Sequence, residues 1–175
     1  MSCGMTNLFF PELLDDAKAL LAEFERLRRK LATAESCTGG LLAGLLTEIA
    51  GSSAVFERGF VTYSNSSKSE LIGVSPALIE RHGAVSEEVA RAMAEGALAR
   101  APVDVAVSVT GIAGPDGGSS EKPVGLVYLG AAPRGRLTLV RECRFGNIGR
   151  TPIRLASVKA ALVLARQAVS AAGRH

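Results

Sequence analysis

Two hydroxyls, a thiol, a carboxylate and two glycines follow one another in residues 34–40, AESCTGG, between a strand-like run and a helix-like run. Gly39 and Gly40 let the backbone approach a ligand closely, and the N–H groups at the start of the next helix attract negative charge. Such a corner suits a phosphate, or the oxyanion that forms when a hydroxyl attacks an amide. Ser36 or Thr38 could attack, but a hydroxyl in front of a helix is also a common N-cap.

A serine attacks an amide only when a base takes its proton. His82 ends a predicted helix just before Gly83, where an imidazolium is stabilised by the helix dipole, so a histidine-based triad is not expected. Lys68 is a better candidate for the base. It lies five residues after Tyr63, and a tight reversal of the chain would turn both side chains into one cleft.

Lys68 can accept a proton only in its neutral form, which requires burial or a nearby positive charge to lower its pKa. The phenol of Tyr63 would then hydrogen-bond to Lys68 and relay or orient the proton. The alternative interpretation is structural: a surface lysine on an amphipathic helix and a strand aromatic with a solvated hydroxyl.

A long loop, GIAGPDGGSSEKPVG at residues 111–125, connects two apolar strand-like runs. It holds five glycines and two prolines, more than a plain hairpin needs, and long irregular loops are commonly functional. Thr110, at the end of the strand, and Lys122 are the polar residues best placed to meet a ligand. Asp116 is expected to serve the Pro-Asp-Gly turn instead.

Three more charged residues have both a functional and a structural interpretation. Arg150 and Arg154 share one face of the last predicted helix, so they could clamp a phosphate or belong to a solvated face. Glu35 could orient the hydroxyls of the corner or pair with a cation, and a structural ion pair is an equal alternative.

Alternating strand-like and helix-like runs position these residues. Strands are predicted at LATAES, at AVFERGFVTYS with a bulge at Gly59, and at DVAVSVTG, VGLVYLGAA and RLTLVRECRF. Helices are predicted from Pro11, over residues 40–51 with Gly51 as C-cap, behind the serine caps Ser64, Ser75 and Ser86, and from about Arg150 to Ala172. This order predicts a three-layer α/β/α sandwich with a mixed, mostly parallel sheet. Ligands bind such sheets at the carboxyl ends of the strands.

Composition bounds the class of protein. With 175 residues, 47% of them hydrophobic, the chain is large enough for one core, so a single domain over residues 1–175 is predicted, with residues 1–8 as a loose leader. A net charge of +3 is too small to indicate nucleic-acid binding. No basic leader precedes an apolar core and no apolar run reaches bilayer length, which predicts a cytoplasmic protein without membrane contact.

The residues that commonly bind metals are few and scattered. Cys3, Cys37 and Cys143 form neither a disulfide framework nor a CxxC pattern. His82 and His175 would need several carboxylates at suitable spacing to complete a zinc site. No metal is therefore expected.

Four stretches, TAESCTGG, SSAVFERGFVTYSNSSK, GAVSEEVA and VTGIAGPDGGSSEKPVG, closely resemble the stand-alone CinA C-terminal domain family, the nicotinamide-nucleotide amidases. The resemblance extends from about residue 13 to residue 168. It implies a mixed-sheet α/β/α fold, no cofactor or obligatory metal, and a homodimer or higher homo-oligomer. The implied reaction converts nicotinamide mononucleotide to nicotinate mononucleotide and ammonia through an acyl-enzyme, with that pyridine nucleotide as the small-molecule partner.

The resemblance also assigns roles to residues. It implies Ser36 as the nucleophile, with Lys68 and Tyr63 as base and proton relay. The predicted substrate contacts are Glu35, Cys37, Thr38, Gly39, Gly40, Asn65, Thr110, Gly111, Gly114, Lys122, Arg150 and Arg154. Before the last helix the family typically has Gly-Asp-Arg and then a second arginine, whereas this chain has Asn147-Ile148-Gly149-Arg150 and lacks the aspartate. The alternatives to an amidase are a non-catalytic pyridine-nucleotide-binding module and a competence-related interaction protein.

Overall fold

The computed structural model describes residues 8–172. The predicted loose leader over residues 1–8 therefore lies outside the described residues, except for Leu8, and so do Cys3 and His175. Within residues 8–172, no helix combines the length and the apolar character that crossing a bilayer requires.

The described chain contains six helices and five strands. The helices are α1 (Pro11–Arg26), α2 (Leu41–Thr47), α3 (Asn65–Ile72), α4 (Pro76–His82), α5 (Glu87–Arg100) and α6 (Arg150–Ala172). The strands are β1 (Leu31–Glu35), β2 (Phe56–Val61), β3 (Val105–Gly111), β4 (Leu126–Pro133) and β5 (Leu139–Arg144), with a short 3-10 turn at Ser52–Ala54. Each predicted strand and helix is present.

The strands form one sheet in the order β2-β1-β3-β4-β5. β1 pairs in parallel with β2 and with β3, whereas β4 is antiparallel to both β3 and β5. Four strands therefore share one direction and only β4 opposes them, which confirms the predicted mixed, mostly parallel sheet. Glu35 is level with Val61 and Val109 in the register, so β1, β2 and β3 end at the same edge.

Helices cover both faces of the sheet, which confirms the three-layer sandwich. On one face, Leu31, Val105 and Val107 pack in a core with α1, α2 and α6. On the other face, Ala32 and Ala106 pack in a second core with α3, α4 and α5. β3 is buried along almost its whole length, as expected for a central strand covered on both sides.

The predicted serine caps are confirmed. The hydroxyl oxygens of Ser64, Ser75 and Ser86 accept hydrogen bonds from backbone N–H groups in the first turns of α3, α4 and α5. These bonds satisfy donors that a helix start otherwise leaves free. The cap at Ser64 matters most for the site described below, because it fixes where α3 begins and hence the direction of Lys68.

Two local predictions about glycines are wrong. α2 ends at Thr47 and not at Gly51, which has a φ of +84° and precedes the 3-10 turn. Gly59 is not a bulge, because it pairs regularly with Thr33 and the register shift lies between Leu31 and Ala32. Gly59 is instead needed for close packing, since a Cβ atom there would lie 2.9 Å from the hydroxyl oxygen of Thr33.

Candidate active site

A pocket of about 260 Å³ opens at the edge of the sheet where β1, β2 and β3 end. Its walls come from the corner after β1, the turn from β2 into α3, the loops after α4 and β3, and the start of α6. Residues predicted from the sequence that line it are Ser36, Cys37, Tyr63, Asn65, Lys68, Thr110, Gly111, Gly114 and Arg150. Ligand pockets typically hold about 300–1,000 Å³, so this cavity suits one small ring with its substituents extending outward.

Ser36 and Lys68 meet inside this pocket. Ser36 directly follows β1, and its N–H still donates to the carbonyl of Val109, so the neighbouring strand fixes its position. The Lys68 side chain, which is 1% exposed, lies in the first turns of α3 and reaches back under the sheet edge. Its Nζ lies 3.1 Å from Ser36 Oγ, within hydrogen-bond distance.

Burial lowers the pKa of Lys68 below its ordinary value of 10.5, and the nearby Cys37 thiol opposes that shift. Among the described residues no carboxylate forms an ion pair with Lys68 that would hold the charged form in place. The other two partners of Nζ are backbone carbonyls, of Thr62 at 2.9 Å and of Tyr63 at 3.4 Å. A neutral amine can donate its two hydrogens to these carbonyls and direct its lone pair at the serine hydroxyl.

Tyr63 contacts Lys68 through its carbonyl and not through its phenol. The phenol oxygen accepts a hydrogen bond of 3.2 Å from Nη2 of Arg150, and the side chain is 61% exposed at the rim of the pocket. The predicted hydrogen bond between the phenol and Lys68 is therefore wrong for this structure. The chain turns sharply between β2 and α3, so the Tyr63 backbone faces inward while its ring faces outward.

Glu35 does not line the pocket. Its carboxylate is buried and accepts hydrogen bonds from the N–H groups of Gly40, Leu42 and Ala43, at 3.1, 3.0 and 2.9 Å. The remaining N–H at this helix start, of Leu41, donates to the Thr38 carbonyl. The predicted anion site at the start of α2 is therefore occupied by the protein's own carboxylate, which stabilises the corner.

The rest of the corner is structural apart from Cys37. Burial raises the pKa of the Cys37 thiol to about 11, so the thiol stays protonated near neutral pH. The Thr38 side chain is fully buried and does not line the pocket, which removes it as an attacking group. Gly39 and Gly40, with φ of +57° and +97°, form the tight turn into α2 and also lie outside the pocket wall.

The predicted arginine clamp is wrong, because the two guanidinium groups contact different parts of the molecule. Arg154 donates to the carbonyls of Cys37 and Thr38 at 3.1 and 2.9 Å and does not line the pocket. Arg150 donates to the Gly114 carbonyl at 2.7 Å and to the Tyr63 hydroxyl, and it does line the pocket. Only Arg150 is therefore placed to meet a ligand here.

The two polar residues expected at the long loop also separate. Thr110 lines the pocket, and its hydroxyl donates to the Ala84 carbonyl at 2.8 Å, which joins β3 to the loop after α4. Lys122 donates to the His82 carbonyl at the end of α4 and does not line the pocket. The ammonium group of Lys122 joins the loop to α4, and a contact between Lys122 and a ligand stays a prediction.

Six lining residues were not predicted as ligand contacts, and they come from two loops: Ala84, Val85, Ile112, Ala113, Asp116 and Gly117. Ala84 and Val85 carry no polar atoms in their side chains, so the only sign of their role in the sequence is that they belong to the family-like stretch GAVSEEVA. Asp116 was assigned to a turn, yet it also lies in the pocket wall. Within residues 8–172, no group of three or more His, Cys, Asp or Glu side chains is placed to hold a metal ion.

The fold and the pocket define an α/β/α protein with a buried serine–lysine pair at the carboxyl edge of its sheet. The family model for the CinA C-terminal domain matches residues 15–169. The chain belongs to the CinA C-terminal domain family, which confirms the resemblance drawn from its motifs.

Two kinds of relative are similar in sequence. Nicotinamide-nucleotide amidohydrolase PncC of Enterobacter agglomerans is 58% identical over 122 residues, which is 70% of this chain and 74% of the relative. PncC of Escherichia coli K12 is 58% identical over 118 residues, 67% of this chain and 72% of the relative. A CinA-like protein of Mycolicibacterium vanbaalenii is 54% identical over 146 residues, 83% of this chain but only 34% of that longer protein.

Solved structures of the family share the fold. The competence/damage inducible protein CihA from Agrobacterium tumefaciens is 51% identical and superposes with a TM-score of 0.89, covering 93% of this chain and 99% of that one. A competence-damaged protein (CinA) superfamily protein from Escherichia coli is 32% identical with a TM-score of 0.83, covering 91% of this chain and 92% of that one.

Proposed function

We propose that this protein is an amidohydrolase that converts nicotinamide mononucleotide to nicotinate mononucleotide and ammonia. The observation that carries the proposal is the 3.1 Å contact between Lys68 Nζ and Ser36 Oγ inside the pocket. A serine beside a buried amine has the two parts that acyl transfer requires, a nucleophile and a base. The names of the PncC relatives, at 58% identity, supply the substrate.

In the first half of the reaction, neutral Lys68 takes the proton of Ser36 as Oγ attacks the carboxamide carbon. The C=O π electrons move to oxygen and give a tetrahedral oxyanion. When the oxyanion collapses, the C–N bond breaks, and the Lys68 ammonium protonates the departing nitrogen, so ammonia leaves and an ester remains on Ser36. In the second half, Lys68 takes a proton from water, the hydroxide attacks the ester, and Ser36 regains its proton as the acid leaves.

The oxyanion needs donors that the start of α2 does not supply, because Glu35 occupies that helix end. The N–H of Cys37 directly follows the nucleophile, and within the described part of the chain it donates to no other residue. We assign it to the oxyanion. The positively charged pyridinium ring of the substrate would add to this stabilisation and would also favour the neutral form of Lys68.

Arg150 is the candidate contact for the phosphate. It is exposed at the rim, and within residues 8–172 two of its five N–H donors are used, by the Gly114 carbonyl and the Tyr63 hydroxyl. A guanidinium with free donors can form a bidentate contact with a phosphate. Tyr63 then orients Arg150 and covers the substrate at the rim, in place of the proton relay that the family resemblance implied.

Ammonia release from nicotinamide mononucleotide by the purified protein tests this function. Ser36→Ala and Lys68→Ala should each abolish release while circular dichroism shows an unchanged fold, and His82→Ala should retain it. Saturable binding of the nucleotide without turnover by the wild-type protein would favour the non-catalytic binding module instead. If the wild-type protein neither binds nor hydrolyses the nucleotide, the competence-related interaction protein is favoured instead.

Three further predictions concern domain organisation, oligomeric state and localisation. We expect residues 1–175 to form one amidase domain, the purified protein to be a homodimer or larger homo-oligomer, and the protein to be cytoplasmic. Limited proteolysis, light scattering and cell fractionation test these expectations in turn.

A further inference from the structure

The acidic and basic side chains in the pocket wall are few. Among the described residues they are Lys68, Arg150 and Asp116. With Lys68 neutral, as the proposed reaction requires, one guanidinium and one carboxylate remain. The pocket therefore offers one positive and one negative charge to a ligand.

Of these two charged groups, Arg150 has hydrogen-bond partners within the protein, and the role of Asp116 is not yet explained. It lies in the loop between β3 and β4, next to Gly117, whose φ of +87° turns the chain at the pocket wall. Within the described part of the chain, its carboxylate forms no hydrogen bond and no ion pair, whereas Asp104 binds Arg29 at 2.7 Å and the N–H of Lys30 at 2.8 Å. An unpaired carboxylate in a ligand pocket is available to a positively charged ligand.

We propose that Asp116 binds the positively charged ring of the substrate, and that the site therefore prefers amides on a cationic heteroaromatic ring to the same amides on a neutral ring. This inference rests on the proposed function. Nicotinamide mononucleotide carries a pyridinium ring and a phosphate, so its two opposite charges match Asp116 and Arg150. The ring charge gives the pocket a means of selecting the oxidised nucleotide, because reduction removes that charge and leaves the amide and phosphate in place.

The position of Asp116 is compatible with the reaction at Ser36. A carboxylate close to Lys68 would stabilise its ammonium form and stop it from acting as a base. Within the described residues Asp116 forms no ion pair with Lys68, and burial lowers the pKa of Lys68. In the proposed complex, Asp116 therefore binds the ring without holding Lys68 in its ammonium form. After hydrolysis, the new carboxylate of the product carries the same sign of charge as Asp116, which weakens product binding.

Binding measurements test the inference separately from turnover. In a Ser36→Ala background, calorimetric titration compares nicotinamide mononucleotide with its reduced, uncharged-ring form, with and without Asp116→Asn. We expect Asp116→Asn to weaken binding of the cationic nucleotide about tenfold and to change binding of the reduced one less than about twofold. Asp116→Glu should restore part of the preference. Glu121→Gln, which removes an exposed carboxylate of the same loop outside the pocket wall, should change neither affinity.

Each outcome has one meaning. Equal weakening of both nucleotides by Asp116→Asn, or no weakening of either, overturns the role of Asp116. If the wild-type protein then still releases ammonia, the proposed function stands without this inference. If the Ser36→Ala protein binds neither nucleotide and the wild-type protein releases no ammonia, the proposed function and the inference are both overturned.

Discussion

Arg150 and Arg154 lie one turn apart on α6, yet Arg150 binds the loop after β3 and the Tyr63 phenol, while Arg154 binds two carbonyls of the serine corner. The two arginines therefore have different expected effects. Arg150→Ala should raise KM for nicotinamide mononucleotide about tenfold or more with a smaller change in kcat, because it removes a substrate contact at the rim.

Arg154→Ala should act on the corner itself. It leaves two carbonyls without their charged donor, so we expect about 1–3 kcal/mol lower free energy of unfolding and a lower kcat, with little change in KM. Urea unfolding and steady-state kinetics measure both quantities. If both variants change KM and kcat in the same way, the two arginines do not have separate roles, and the predicted common clamp is favoured again.

The pH dependence of kcat should report Lys68. Because burial lowers its pKa below 10.5, the neutral amine becomes available at lower pH than for an exposed lysine, and kcat should rise with pH through the folded pKa. Lys68→Arg should lose activity by about 100-fold or more at every pH, since a guanidinium stays protonated. A kcat that falls over the same alkaline range, or an active arginine variant, would remove Lys68 as the base.

Lys68 should also make stability depend on pH. Between its lowered folded pKa and the unfolded value of 10.5, the unfolded chain holds more protons at this residue than the folded protein does. The contribution of Lys68 to the free energy of unfolding therefore increases as pH rises through that window. Lys68→Met removes this titrating group. In urea unfolding measured from about pH 7 to about pH 10, the free energy of unfolding of the wild type should therefore rise relative to that of Lys68→Met. A difference that stays constant over this range would show that Lys68 is protonated equally in both states.

Glu35→Ala should destabilise the protein by about 2–4 kcal/mol, because three N–H groups of the α2 start lose a charged acceptor in a buried place. The activity should fall through displacement of Ser36. Glu48, exposed at the other end of α2, supplies the matched control: Glu48→Ala should stay within about 0.5 kcal/mol of the wild type. If thermal unfolding shows similar stabilities for the two variants, the capping role of Glu35 is wrong.

The Cys37 thiol should be unreactive although it lies next to Ser36, the proposed nucleophile. With its pKa raised to about 11, very little thiolate is present near pH 8. Iodoacetamide should label Cys37 far more slowly in the folded protein than in urea, as followed by mass spectrometry of the peptide. Cys37→Ala should retain activity within about threefold. Fast labelling of the folded protein would instead indicate a reactive thiol.

The fold was predictable because its elements differ clearly in pattern. The buried central strand β3 is an uninterrupted apolar run, and each of Ser64, Ser75 and Ser86 stands in front of a helix. The meeting of Ser36 and Lys68 was also predictable, since parallel strands end at one edge of a sheet and both residues follow such ends.

The remaining errors concern directions that spacing does not specify. Arg150 and Arg154 share a helix face, but long side chains from one face reach different partners. Beyond the end of β2, no alternation pattern tells whether the ring or the carbonyl of Tyr63 faces inward. The sequence does not show that the Glu35 carboxylate accepts hydrogen bonds from three N–H groups. Those bonds form because Gly39 and Gly40 fold the chain back over the strand end.

The antiparallel return of β4 beside β3 has a consequence for how this protein can diversify. The segment 112–125 leaves and re-enters the sheet at the edge that holds Ser36, while the paired register from Val105 to Gly111 does not depend on its length. Doubling a flexible segment costs only about 0.6 kcal/mol in closure entropy. Insertions and deletions there would therefore reshape the pocket wall while Ser36 and Lys68 keep their positions, so that under the proposed function the reaction and the substrate range can evolve separately.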